Sequence, residues 1–115
     1  MGELQGIVRF TFHDGDVEEF KRLSAHAMEV VRTRDTGTLQ HAVYFNEDES
    51  ESITLERFRD SDALIEHAAN LGSDFMEAIM ATGSVSGELL GDPSPELEAK
   101  LTGDQPRLFT PYLAM

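Results

Sequence analysis

Ser52-Ile53-Thr54-Leu55-Glu56-Arg57-Phe58-Arg59-Asp60-Ser61-Asp62-Ala63-Leu64-Ile65-Glu66-His67-Ala68-Ala69-Asn70-Leu71 changes period near its middle. Up to Phe58 the side chains alternate, with Ile53, Leu55 and Arg57 on one face and Thr54, Glu56 and Phe58 on the other. That is the two-residue repeat of a strand. Beyond Arg59-Asp60-Ser61-Asp62, which supplies helix-starting chemistry, Leu64, Ile65, Ala68 and Leu71 recur every three or four residues. A strand therefore runs into a helix.

Upstream, Thr38 to Asn46 alternates in the same way: Leu39, His41, Val43 and Phe45 against Gln40, Ala42 and Tyr44. The acidic stretch Asn46-Glu47-Asp48-Glu49-Ser50-Glu51 joins the two strands as a hairpin tip. It lacks the ligand spacing and central glycine of a calcium loop, so it reads as a solvated turn. Leu4 to Phe12 is a further strand, with Val8, Phe10 and Phe12 opposite Ile7, Arg9 and Thr11. After the turn His13-Asp14-Gly15-Asp16, a helix capped by Asp16 with Glu19 in capping-box spacing is predicted to run to about Arg34. Val17, Phe20, Leu23, Ala27 and Val30 or Val31 form its buried stripe, and Gly37 is its stop.

Downstream, Gly72 interrupts the second helix. Ser73-Asp74 is expected to recap a short continuation carrying Phe75, Met76, Ile79 and Met80. Gly83 ends that piece, and Ser84 to Leu90 is a fourth strand. The order β-α-β-β-α-β specifies an α+β, ferredoxin-like domain over residues 1–90, with an antiparallel sheet and helices on one face. Residues 91–115 form an extension. Gly91-Asp92-Pro93 turns the chain, and Ser94 and Pro95 open a short helix, Glu96 to Leu101, closed by Gly103. The stretch Arg107 to Leu113 is too apolar for a free tail. Pro111 confines it to an edge or an arm that covers apolar surface on its own domain or on a partner subunit.

The 115 residues suffice for one core. Hydrophobic residues at 40% and charged residues at 27% are globular values. Nine Lys and Arg against 22 Asp and Glu leave a net charge of -13, which argues against nucleic acid or an anionic membrane as the main partner. Cysteine is absent, which removes disulfides, thiolate nucleophiles and Cys-based metal sites, and a cytoplasmic location is the expectation. Met1-Gly2-Glu3-Leu4-Gln5 shows neither a basic start nor an apolar core, and Gly6 stands where myristoylation wants Ser or Thr. No apolar run reaches the roughly 20 residues of a membrane span.

With both helices on one side, the other sheet face is bare, and both parities of these strands carry apolar residues. Several hundred Å² of such surface exceeds what monomers usually expose. A homodimer packed sheet against sheet is the expected remedy; a fold-back of the extension is the alternative.

The stretch Leu55 to His67, a strand ending in Glu-Arg-aromatic followed by an acidic cap and an apolar helix with a single His, resembles the antibiotic biosynthesis monooxygenase family. Gly37-Thr38-Leu39-Gln40-His41-Ala42-Val43-Tyr44 is similar to that family's second strand. The resemblance covers residues 4 to 90 and implies a dimeric α+β barrel with a pocket between sheet and helices. The family it implies contains cofactor-independent oxygenases of quinols and polycyclic aromatic phenols, haem-degrading enzymes, and many members without known activity. The haem branch uses an Asn on the first strand, a Trp on the helix and a His ligand. This chain has no Trp, and it carries neither an Asn in Leu4–Phe12 nor a His in Met76–Met80.

The leading expectation is a cofactor-independent monooxygenase for a small aromatic, phenolic or quinol-type molecule. The alternative is a non-catalytic small-molecule-binding or stress-related dimer on the same fold. His67, beside the Leu64–Ala68–Leu71 stripe, is the candidate base, with Glu56 as the carboxylate that orients it. A structural strand-to-helix clip is the other reading of that pair. His41, Tyr44 and Arg57 are candidate substrate contacts; a dimer-interface or satisfied buried histidine is the other reading of His41, and a cross-strand ion pair with Glu56 or another acid is the plainer reading of Arg57 and Arg9. Phe75 and Met76 suit the wall of a pocket for flat ligands, or simply core. His26 reads as a rim residue and His13 as exposed. His41 and His67 lack the close spacing of a His-x-x-x-His motif, so no metal ligands and no cofactor are expected.

Overall fold

The computed structural model describes residues 2–101 and 103–115; Met1, on which part of the N-terminal reading falls, lies outside them. Where the period changes, the chain leaves a sheet and enters a helix. The elements are β1 (Leu4–Phe12), α1 (Val17–Arg34), β2 (Thr38–Phe45), β3 (Glu51–Phe58), α2 (Ser61–Leu71), α3 (Ser73–Met80), β4 (Gly83–Leu90), α4 (Pro95–Lys100) and β5 (Arg107–Phe109). Their sheet order is β2-β3-β1-β4-β5. The first four strands are antiparallel, and β5 joins β4 in parallel. The α+β, ferredoxin-like expectation holds.

Local chemistry explains most boundaries. The Asp60 carboxylate accepts from the Ala63 amide at 2.9 Å and starts α2. Gly72, at φ +87°, sits where a side chain is rarely tolerated, so the chain can end α2 and restart as α3. Ser94 caps α4 through the Leu97 amide, and Pro95 occupies its first turn. Two predicted caps do not form. Asp16 has helical backbone angles and no capping bond, while Glu19 turns to Arg22 instead. At α3, Gly72 takes the cap position and neither Ser73 nor Asp74 caps.

Cross-strand register assigns every side chain to a face. Leu4, Phe10 and Phe58 are buried, as are Phe20, Leu23, Ala27 and Val30 of α1, and the Phe10 and Phe20 rings meet between sheet and helix. Phe10, Phe12, Phe20 and Phe45 cluster with ring centroids 4.7 to 6.1 Å apart. Such pairs contribute about 0.5–1.5 kcal/mol beyond their buried area.

The extension folds onto its own subunit. Leu97 of α4 joins Leu4 and Leu89 in one buried cluster, and β5 lies on the sheet edge, stopping before Pro111. It does not roof the open face, where Tyr44 and Ile53 stay 54% and 39% exposed. Among the described residues no helix is long and apolar enough to cross a membrane.

Candidate active site

Small side chains on the helix-facing side of the sheet leave room for a site. Gly6 of β1 lies opposite Glu56, and Val8 opposite Thr54. A Cβ at Gly6 would stand 3.2 Å from Oε1 of Glu56, so glycine keeps that carboxylate's space open. Above these residues lies a cavity of about 280 Å³ between sheet and helices. Phe20 and Ala27 of α1, Leu64 and Leu71 of α2, and the whole inner side of α3 wall it. Phe75, Met76, Ile79 and Met80 all face it, yet α3 buries no residue. They are pocket wall, not sealed core.

One end of this apolar chamber is polar. His41 of β2 and Glu56 of β3 are cross-strand partners, and His67 of α2 comes down onto them. His41 Nδ1 is 3.4 Å and His67 Nε2 is 3.5 Å from Oε2 of Glu56. The far side of His67 is held more tightly. Its Nδ1 is 2.7 Å from Oδ2 of Asp35, in the loop between α1 and β2. An ionised carboxylate only accepts, so Nδ1 carries the proton and Nε2 faces Glu56 and the cavity. Asp35 is fixed in turn by Thr38 Oγ1 at 2.7 Å and Asn70 Nδ2 at 2.8 Å.

Burial and charge act against each other here. Burial pushes the Glu56 carboxyl up, but the flanking imidazoles of His41 and His67 outweigh it and hold the group down at about 2. Burial likewise raises Asp35, and the bonds from Asn70, Thr38 and His67 bring it below the usual carboxylate range. For His67, burial favours the neutral ring, yet Glu56 and then Asp35 stabilise the imidazolium, so its pKa lies above 6.5. The result is an imidazole with its orientation fixed and its basicity raised.

Of the residues picked from sequence, His67, Glu56, His41, Phe75 and Met76 meet at this cavity. Tyr44 and Arg57 do not line it: their strand parity places them on the open face, and Arg57 binds Glu3 at 2.8 Å. Arg9 likewise pairs with Glu88. The orienting role given to Glu56 also shifts, because Asp35 makes the aligned bond to His67 while Glu56 lies on the other nitrogen. Asp35 was missed because Arg34-Asp35-Thr36-Gly37 reads as a helix stop. The only signal was an acidic residue among turn residues, 32 positions from its partner.

The sequence profile of the antibiotic biosynthesis monooxygenase family matches residues 6–78, more than half of the chain. This protein belongs to that family. A search of curated proteins finds no match. Among solved structures, MupZ from Pseudomonas fluorescens is similar at 21% identity with a TM-score of 0.78, covering 100% of this chain and 94% of MupZ. SnoaB, described as a cofactor-independent oxygenase from Streptomyces nogalater, is similar at 21% identity and a TM-score of 0.64, over 77% of this chain and 91% of SnoaB. Rv0793 from Mycobacterium tuberculosis gives 20% identity and 0.67 over 81% and 97%. These likenesses establish the shared fold. The MupZ superposition takes in the α4–β5 extension of this monooxygenase-family chain, whereas the SnoaB and Rv0793 matches leave about a fifth of the chain uncovered.

Proposed function

We propose that this chain is a cofactor-independent monooxygenase for a small phenolic or quinol-type aromatic, working as a homodimer with His67 as its general base. The observation that carries the reading is the imidazole pinned by Asp35 with its free nitrogen at the polar end of an apolar cavity. Family membership and the description of SnoaB support it. His67 Nε2 removes a proton from the substrate's hydroxyl or activated CH2, and the apolar walls leave the resulting anion poorly solvated and electron-rich toward O2. For a CH2 centre the balance is CH2 plus O2 giving C=O plus water, with the substrate supplying the reducing electrons. In this reading His41 and Thr54 hold a substrate oxygen, and Phe75 and Met76, which line the cavity, pack on the ring.

The homodimer reading rests on the uncovered apolar face. Ile7, Ala42, Tyr44, Ile53 and Leu55 share it, edged by the Arg9–Glu88 and Arg57–Glu3 pairs. A specific observation favours a second reading, ligand binding without turnover. The bonds from His67 and Asn70 tie Asp35 in the α1–β2 loop to α2, with Thr38 of β2 as a third partner, which a purely structural clip would also do.

Oxygen uptake with a panel of hydroquinones and anthrones, in chelator-treated buffer, separates the two. Oxygenation predicts uptake that drops about 10²–10⁴-fold in His67→Ala. Uptake that is absent across the panel, or equal in the variant, would overturn the base assignment and leave the binding reading.

A further inference from the structure

The three side chains at the polar end of the cavity come from β2, β3 and α2, so no spacing along the chain reveals them as a set. Their ligand-type atoms, two imidazole nitrogens and a carboxylate oxygen, all lie within 4.8 Å of one another. We propose that His41, Glu56 and His67 form a binding site for a divalent transition-metal ion, with Asp35 as the carboxylate behind His67.

The distances fit an ion better than they fit hydrogen bonds. Zinc-type ligands at 2.0–2.2 Å in a tetrahedron stand about 3.4 Å apart. Glu56 Oε2 is 3.4 Å from His41 Nδ1 and 3.5 Å from His67 Nε2. Those separations are long for hydrogen bonds, and His41 Nδ1 in fact has no hydrogen-bond partner although its side chain is only 6% exposed. A buried, unsatisfied nitrogen aimed at a carboxylate and a second imidazole calls for an occupant.

Surrounding groups complete the arrangement. Metal-binding histidines commonly donate their other N–H to a carboxylate, which fixes the ring and raises its basicity. The 2.7 Å bond from His67 Nδ1 to Asp35, itself held by Thr38 and Asn70, is that device. Glu56 and Asp35 together balance a divalent charge when both imidazoles are neutral. The Glu56 side chain keeps 18% of its surface exposed and lines the cavity, whose volume offers room for water or a small ligand at the remaining positions. Two imidazoles and one carboxylate suit the borderline ions, zinc, iron(II), cobalt and nickel, over calcium or magnesium.

The inference goes beyond the oxygenase reading and does not depend on it. An ion on Nε2 takes the lone pair a base needs, so the ion-loaded and proton-abstracting states exclude each other at His67. Binding is therefore measured without substrate.

Chelator-stripped protein is titrated with Co2+ and followed by visible absorption, with Zn2+ calorimetry in parallel. The expected result is one ion per chain, saturating at micromolar concentration, with the strong visible bands of a four- or five-coordinate N,O site. His41→Ala and Glu56→Gln should each weaken binding at least tenfold, Asp35→Asn about 10–100-fold, and the exposed-turn variant His13→Ala should leave it unchanged. Circular dichroism checks that each variant is folded; should His41→Ala not fold, the closer isostere His41→Gln replaces it. No binding below millimolar concentration, or binding indifferent to both His41 and Glu56 substitutions, would overturn the site.

Discussion

The two faces of one sheet carry opposite chemistry, and the same strands supply both. Toward the helices, Gly6, Thr54 and Val8 are small enough to leave a chamber, and His41 and Glu56 put polar atoms at its end. Toward the other side, Ile7, Leu55, Ile53 and Tyr44 form a flat apolar field edged by ion pairs. A one-residue change of parity moves a side chain from the cavity side to the open apolar side. Arg57 and Glu56 are neighbours in sequence and serve different faces.

Removing the His67 ring while leaving the open face untouched tests whether the two faces act independently. His67→Ala should cost about 10²–10⁴-fold in kcat/KM for whichever aromatic is turned over, while light scattering still finds the same assembly. Equal loss of assembly would mean that the faces are not independent.

The reverse experiment places like charge on the flat face. Ile53→Lys with Tyr44→Lys should convert a light-scattering dimer to monomer at micromolar concentration, because facing cations across a sheet-on-sheet contact repel. The His67 environment should persist. If the wild type itself is monomeric at that concentration, the flat face is not a self-association surface.

Stability against pH sharpens the polar end. Glu56 has a depressed pKa, so its contribution is complete above 4.5 and is lost as pH falls toward about 2. His67 has a raised pKa, so its contribution is complete below 6.5 and is lost as pH rises through its folded value. Thermal midpoints should therefore be highest between about 4.5 and 6.5. Asp35→Asn should flatten the alkaline fall, and an unchanged alkaline limb would remove Asp35 from the account.

The smallest effect belongs to the edge of the flat face. Arg9→Ala breaks a surface pair with Glu88 and should cost the subunit no more than about 1 kcal/mol in a denaturant titration. A loss of several kcal/mol would show that the pair carries more than a rim role.

Much of the fold was legible because alternation and helical spacing are local signals. The strand over Leu4–Phe12 and the long helix ending at Arg34 needed only their own residues. The parallel pairing of β5 with β4 was not legible, since a three-residue strand carries no period and its partner is set by where α4 docks through Leu97. The Asp16 cap failed for a local reason: Asp16 has helical backbone angles, and its side chain lies 3.6 Å from His13. At the site, parity put His41 and Glu56 on one face, and the α2 stripe brought in His67. Asp35 escaped because a loop residue's partner is decided by tertiary packing, and Arg57 misled because a cation beside apolar residues looks the same on either face.

Everything specific about the chamber depends on His67 presenting a basic nitrogen to whatever fills it. The direct measurement is an NMR titration of the ¹⁵N-labelled His67 ring, with and without a hydroquinone ligand. The account predicts a pKa above 6.5, a protonated Nδ1 in the neutral form, and a shift of the Nε2 resonance when the ligand binds. A ring that titrates at the ordinary value and ignores the ligand would contradict it.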